Sequence, residues 1–203
     1  MSERWVSFDE LAANESPFVQ FDQWFDEARE VMREREAITL VTADANAQPS
    51  ARMVLLRYRS ERGFGFFTNY ESRKGRELAA NANAALLWYA EALGRQVRIE
   101  GPVHQLAASE SDAYFASRPR GHQIGAHASH QSEPLASRAQ LEQKVAALTE
   151  QFAGRDVPRP SNWGGYELVA ERFEFWQHRE DRLHDRVVYV GSNGSWQRTR
   201  IAP

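Results

Sequence analysis

The chain has no cysteine, which excludes disulfides, thiolate metal centres and thiol nucleophiles. It also lacks an excess of positive charge. The formal net charge of −3 argues against a general nucleic-acid binder, whose affinity needs many cations facing phosphates. No run of about eighteen apolar residues occurs, and the stretch from Met1 to Glu15 carries acids without an apolar signal-like segment. Neither export nor a membrane helix is therefore expected, and a cytoplasmic location is. Also missing are a Walker phosphate loop and a Gly-x-Gly-x-x-Gly fingerprint: Gly63 and Gly65 have no third glycine and no helix directly after them. No Ser/His/Asp order or paired-carboxylate pattern supports hydrolysis.

What is present is enough to bury a core: 203 residues, 42% of them hydrophobic. The expectation is one domain over residues 17–203, preceded by a flexible segment, residues 1–16. Phe18, Phe21, Trp24, Phe25, Ala28, Val31 and Met32 recur at helical spacing and predict an amphipathic helix ending before Ala37. The period then changes to that of strands. Residues 38–42 and 50–58 read as a hairpin about a polar turn, and 63–68 as a third strand. Ser72 caps a helix running to about Asn81, and residues 84–89 and 96–106 are two more strands. Ser109 with Asp112, and Ser137 with Gln140, resemble capping boxes opening helices; the second helix carries Leu141, Val145, Leu148 and Phe152 on one face. After Val157-Pro158-Arg159-Pro160, residues 166–169, 172–177, 186–190 and 196–201 are candidate strands. Strands joined by short turns, with helices inserted in two places, favour an α+β antiparallel barrel or sandwich over a parallel doubly wound sheet.

Three clusters carry possible chemistry. Arg52, Arg57, Arg73, Lys74 and Arg76 lie around the start of the Ser72-capped helix, where Thr68, Ser72 and free backbone N–H groups can join them on a phosphate. A solvated basic face is the other reading of these residues. Tyr114, Arg118, Arg120, His122 and His127 form a second candidate anion pocket. The histidines, His130 included, match no strong ligand spacing, so no metal is expected. The third cluster is Trp176-Gln177 followed by Arg182-Leu183-His184-Asp185-Arg186. If this stretch is a strand, Arg182, His184 and Arg186 share a face; the alternative is an exposed hairpin in which Asp185 pairs with an arginine.

Read in order, these residues resemble the pyridoxamine 5′-phosphate oxidase family from about Pro17 to Pro203. The matching stretches include Arg52-Met53-Val54-Leu55-Leu56, Phe67-Thr68-Asn69 with Ser72-Arg73-Lys74, Gly94-Arg95-Gln96-Val97, Ser117-Arg118-Pro119, His130-Gln131-Ser132, Trp163-Gly164-Gly165, Glu174-Phe175-Trp176-Gln177 and the stretch from Arg182 to Arg186. The resemblance implies a homodimeric FMN-binding split barrel with peripheral helices and the flavin at the subunit interface. It implies that Arg52, Phe67 (through its backbone), Thr68, Arg73, Lys74, Gln96, Gln131, Ser132, Trp176 and Arg186 hold FMN. Tyr114 and Arg118 are implied on the substrate phosphate, with Arg57 and His122 at the same end. Arg182 and His184 are implied over the pyridine ring as the catalytic pair. The implied reaction oxidises pyridoxamine or pyridoxine 5′-phosphate to pyridoxal 5′-phosphate, with dioxygen as acceptor and hydrogen peroxide as product. Flavin supplies the redox chemistry, so the chain chiefly positions the substrate.

Several positions depart from the family pattern. Arg57 stands where a lysine is usual, His122 where a serine is common, and His127 where a bulky apolar residue is frequent. Glu34 takes a position that is aspartate in some members, and the amino terminus lacks the Arg- and Tyr-bearing segment that closes over the site in some members. Arg57 and His122 alter the substrate-phosphate end, which keeps two alternatives open: a related flavin oxidase of the phenazine-pathway type, and a non-catalytic flavin- or pyridoxal-phosphate-binding protein.

Overall fold

Every second residue of β1 (Ala37–Ala43) is buried, with Ile38, Leu40 and Thr42 turned to one side, as a half-buried strand requires. The computed structural model describes residues 7–192 and 194–203. β1 pairs antiparallel with β2 (Pro49–Leu55) and with β5 (Asn83–Ala90). The sheet continues through β6 (Arg95–Gln105), β8 (Arg172–Gln177), β9 (Asp185–Ser192) and β10 (Ser195–Arg200). Two changes of partner curl it into a barrel. Residues 95–100 of β6 pair with β8, whereas Val103 to Gln105 pair with β7 (Trp163–Val169). Gly101 sits at that switch, where a Cβ would lie 2.0 Å from the Val169 carbonyl oxygen, so only glycine fits. β7 in turn pairs with β4 (Gly63–Asn69), whose other edge holds the two-residue β3 (Tyr58–Arg59).

The strand expected over residues 50–58 is accordingly two. Leu56 N–H donates to Glu36 O, and the next amide, Arg57 N–H, donates to Gly65 O, both at 2.8 Å. The chain leaves β1 for β4 at that point, and the barrel is split there.

Helix α1 (Pro17–Glu27) opens with proline at its first position and buries Phe21, Trp24 and Phe25 against the sheet. It stops short of the predicted Met32: residues 28–30 tighten into a 3-10 turn, and the Arg35 guanidinium takes the Phe25 carbonyl at 3.0 Å. The aromatic core built there includes Phe64, Trp88, Phe173, Phe175 and Tyr189. At about 25 cal/mol per Å² of apolar surface removed from water, its large side chains dominate the stabilisation. A smaller core of Phe115, Ile124, Phe152, Val157 and Trp163 lies under α3 (Ala108–Ser117), α4 (Arg120–Ala128) and α5 (Arg138–Gln151), with Val145 and Leu148 packed on it.

Ser137 caps α5 as expected, accepting from Gln140 N–H at 3.2 Å. Ser109 does not cap α3. The Leu106 N–H is committed to Gly165 O, which turns the chain early, so the helix starts at Ala108 and Glu110 accepts from the Ala107 N–H. Residues 7–16, part of the segment expected to be flexible, make contacts with the barrel. Phe8 and Ala13 are buried, Phe8 lies 4.8 Å from the Trp24 ring, and the Tyr189 hydroxyl donates to Asn14 O at 2.7 Å. Residues 1–6 lie outside the described residues. No described helix is long and apolar enough to cross a membrane.

Candidate active site

Helix α2 (Arg73–Ala80) begins directly after β4, and its N-cap Ser72 accepts from Gly75 N–H at 3.3 Å. That cap turns Lys74 inward. Its Nζ donates to Thr68 Oγ1 (3.1 Å), Ser72 Oγ (3.3 Å) and Gln131 Oε1 (2.8 Å), all neutral oxygens. Only 8% of Lys74 is exposed. Burial, helped by the nearby Arg52 cation and opposed by Glu77, lowers its ammonium to about 8. A buried cation among neutral acceptors is stabilised by an incoming anion.

The neighbouring arginines are arranged otherwise than the sequence suggests. Arg52 Nη2 meets Glu77 Oε2 at 3.1 Å, and the same guanidinium donates to Thr42 and Ser50; Arg73 Nε meets Glu77 Oε1 at 2.8 Å. Burial alone would raise the Glu77 carboxyl, but hydrogen bonds from Ser50, Thr42, Arg73 and Arg52 together outweigh it and hold it at about 2. Glu77 is thus a part of the site that reading the sequence missed, although its i,i+4 spacing from Arg73 was a usable signal. Arg76 faces away, to the Glu71 carbonyl and to Glu133.

A cleft of about 820 Å³ is lined by Arg57, Phe67, Thr68, Lys74, Tyr114, Arg118, His122 and Gln131, eight of the expected site residues. Phe67 and Tyr114 stack at 3.8 Å between centroids, and Trp163 extends the stack at 5.6 Å from Phe67. The Arg118 guanidinium lies 4.5 Å over the Trp163 ring, and its buried Nη1 has no hydrogen-bond partner among the described residues. Burial and the nearby Arg57 lower the Arg118 pKa, while Tyr114 opposes them. Trp163 is the second member that sequence reading left without a role.

Arg120 and His127, grouped with this pocket in the sequence, belong elsewhere. Arg120 donates to the Phe152 and Arg155 carbonyls at the end of α5, where cations are favoured, and His127 Nε2 lies 2.6 Å from Pro158 O.

Gln96, Trp176 and Arg186 form a separate group. They are register partners on adjacent strands β6, β8 and β9, so their side chains share one face. Arg186 is anchored on Glu174 at 2.7 and 2.8 Å. His184 packs 4.5 Å from Trp176. The strand alternation expected to align Arg182, His184 and Arg186 does not apply, because β9 begins only at Asp185 and residues 180–182 form a 3-10 turn. Asp185 pairs with Arg200 at 2.8 Å. Arg182 and Ser132 have left-handed backbones, φ 63° and 74°, which cost a non-glycine residue about 1–2 kcal/mol. Neither residue lines the cleft.

The row and the cleft are joined by one exposed sheet face. Met53 (61% exposed) and Leu55 (40%) line the cleft mouth and lie on that face, which runs through Leu87 and Tyr89 to Gln96 by register. A larger groove of about 1310 Å³ elsewhere contains none of the expected residues, and its Arg62 and Arg172 face Glu167 and Glu100.

An antiparallel split barrel with a cation-bearing, aromatic-lined cleft opening onto an apolar sheet face defines the class. Residues 25–152 match the family described as pyridoxamine 5′-phosphate oxidase, and residues 163–203 match the pyridoxine 5′-phosphate oxidase C-terminal dimerisation region. The chain belongs to the pyridoxamine 5′-phosphate oxidase family. It is 52% identical over 195 residues to a pyridoxine/pyridoxamine 5′-phosphate oxidase of Rubrobacter xylanophilus, covering 96% of this chain and 90% of that one. It is 53% identical over 202 residues to the protein of that name from Burkholderia mallei, covering 98% and 94%. Among solved structures, PhzG from Burkholderia lata in complex with tetrahydrophenazine-1-carboxylic acid superposes with a TM-score of 0.91 at 33% identity, covering 98% of both chains. A pyridoxamine 5′-phosphate oxidase-related, FMN-binding protein from Nostoc punctiforme shares the fold, with a TM-score of 0.75 at 14% identity, covering 94% of this chain and 100% of that one.

Proposed function

We propose that this chain is an FMN-dependent oxidase that converts pyridoxamine or pyridoxine 5′-phosphate to pyridoxal 5′-phosphate, with dioxygen as acceptor and hydrogen peroxide as product. The observation that carries the reading is one cleft with two separate cationic points, buried Lys74 and part-buried Arg118 with its Nη1 buried, each lacking an anionic hydrogen-bond partner among the described residues. Two phosphates, one on the cofactor and one on the substrate, account for both. The residues present fit FMN: Lys74, Thr68 and Gln131 would hold its phosphate, with Arg52 and Arg73 steadied by Glu77 beside them. Bound flavin would supply the two-electron redox chemistry. Arg118 and Tyr114, with Arg57 and His122 nearby, would bind the substrate phosphate. The stacked Phe67, Tyr114 and Trp163 rings restrict water at that end.

The protein would act as a homodimer. A second copy seated on the Met53, Leu55 and Tyr89 face would cover exposed apolar surface and bring Gln96, Trp176, Arg186, Arg182 and His184 of one chain toward the cleft of the other. The match of residues 163–203 to a dimerisation region supports this.

The test is to add FMN and pyridoxamine 5′-phosphate to the purified protein and follow aldehyde and peroxide together. Stoichiometric formation of both supports the assignment. Bound FMN with no turnover above free flavin removes the substrate and keeps the flavoprotein. The likeness to PhzG, together with Arg57 and His122 at the substrate-anion end, favours one second reading: oxidation of a carboxylate-bearing ring compound. Preference for such a substrate over the phosphorylated vitamers in parallel assays would select it.

A further inference from the structure

His184 is tied down on its Nδ1 side. The backbone N–H of Arg179 donates to Nδ1 at 3.2 Å, which requires an unprotonated nitrogen there. The two rings beside it are Trp176, with centroids 4.5 Å apart, and His178, with centroids 5.2 Å apart. His178 is itself held by its backbone, whose N–H donates to Gly94 O at 2.7 Å and so ties the turn to the end of β5 and the start of β6.

We propose that Arg179 and His178 are positioning residues, Arg179 fixing His184 as the tautomer protonated on Nε2 and His178 keeping that ring neutral, so that it meets the ligand as a hydrogen-bond donor and not as a proton acceptor. Protonating Nδ1 would set two N–H groups against each other and break the Arg179 bond. The charged surroundings act in the same direction. Among the described residues, His178 and Arg182 are the groups that oppose a charge on His184, and Asp185 is the one that favours it. Asp185 is already committed: it accepts from Arg200 Nη1 at 2.8 Å and from Phe8 N–H at 3.0 Å, and Arg179 Nε lies 3.7 Å away. It is therefore not free to form the carboxylate–histidine couple that would raise the imidazole's basicity. Burial is the largest cause of the lowered His184 pKa, ahead of these charges.

The consequence is a specificity rule. An Nε2–H donor selects a ligand oxygen or other acceptor at this edge of the site, and a ligand presenting a donor there loses the contact. This deepens the proposed reading of Arg182 and His184 as the substrate edge and rests on it for the ligand. The tautomer does not depend on that reading.

The experiment is long-range proton–nitrogen NMR on histidine-labelled protein without substrate, with the His184 signals assigned through His184→Gln. The ring nitrogen shifts distinguish the two tautomers and the imidazolium. The expected result is a neutral, Nε2-protonated His184 at pH 7, titrating below the ordinary imidazole value of 6.5. In His178→Ala the tautomer is retained and the titration midpoint moves upward, and the acid limb of kcat/KM in whichever oxidase assay works moves with it. An Nδ1-protonated ring or an imidazolium at pH 7 overturns the proposal, as does an unmoved midpoint in His178→Ala. A His178 that only supports the turn would lower thermal stability without moving the midpoint. Failure of the B6 substrates alone overturns the functional reading and leaves the tautomer standing.

Discussion

Lys74 Nζ donates to Gln131 Oε1 at 2.8 Å, linking the start of α2 to the loop after α4 across 57 positions of sequence. Thr68 Oγ1 also donates to that Gln131 oxygen, at 3.2 Å, so β4, α2 and the loop converge on one point. The charge placed there is the most informative titratable group in the site.

With its pKa lowered from 10.5 to about 8, Lys74 has two opposite pH effects. Between those values the unfolded chain binds the extra proton, so this group makes apoprotein stability rise with pH across that window. FMN binding, which in the proposed site would use the ammonium, is expected to weaken as pH rises through about 8. Urea midpoints and flavin-fluorescence titrations on either side of that pH measure both trends. Lys74→Met should flatten both and weaken FMN by roughly 10- to 100-fold, the scale of one charge-assisted hydrogen bond of about 1.5–3 kcal/mol.

Arg118→Ala is expected to lower kcat/KM for the phosphorylated substrate by roughly 100-fold while FMN affinity stays near that of the parent protein. Arg118→Lys should recover only part of this, because an ammonium has neither the planar face that lies on Trp163 nor the paired donors. Steady-state kinetics beside flavin titration separates the two effects. A matching fall in FMN affinity would move Arg118 to the cofactor.

Glu77 is 5% exposed and carries both Arg52 and Arg73. Removing it in Glu77→Ala leaves a part-buried guanidinium uncompensated and should cost about 3–5 kcal/mol in urea unfolding. Its folded pKa, about 2, lies below the ordinary 4.5. The associated stability is fully present above pH 4.5 and is lost as pH falls through about 2. Glu77→Gln should therefore flatten the acid side of the stability curve, whereas an unchanged curve would assign the acid loss to other carboxylates.

Met53→Asp places a charge on a side chain that is 61% exposed in the single chain, so folding of that chain should be little affected. In a homodimer using this face, the same charge is desolvated. The expected outcome is a monomer by sedimentation, unchanged far-ultraviolet circular dichroism and loss of bound FMN. A dimer that retains flavin would locate the interface on another surface.

Much of the fold was readable locally. The strand period of residues 38–42, the Ser72 and Ser137 caps and the α1 apolar stripe all reappear, because each depends on neighbours a few residues away. The errors share a different cause. Arg57 leaves its strand because Gly65 offers a second partner; α3 starts early because Gly165 captures Leu106; Phe8 is ordered because Trp24 and Asp185 receive it. Those partners lie from eight to 177 positions away, beyond the few residues that a cap or an apolar period spans.

The same division holds for the site and marks the limit of the sequence by itself. It determined which groups were available: two clusters of cations near hydroxyls and aromatics, no thiol, and a β-rich chain whose ordered motifs resemble one family. Tertiary structure alone decided their use. It turned Arg52 and Arg73 onto Glu77, left Lys74 and Arg118 facing one cleft, and sent Arg120 to the end of α5 and His127 to the Pro158 carbonyl. The reason is that spacing along a chain sets which face a side chain occupies, whereas the partner of a buried charge is set by whichever strand or helix the fold brings within about 3 Å.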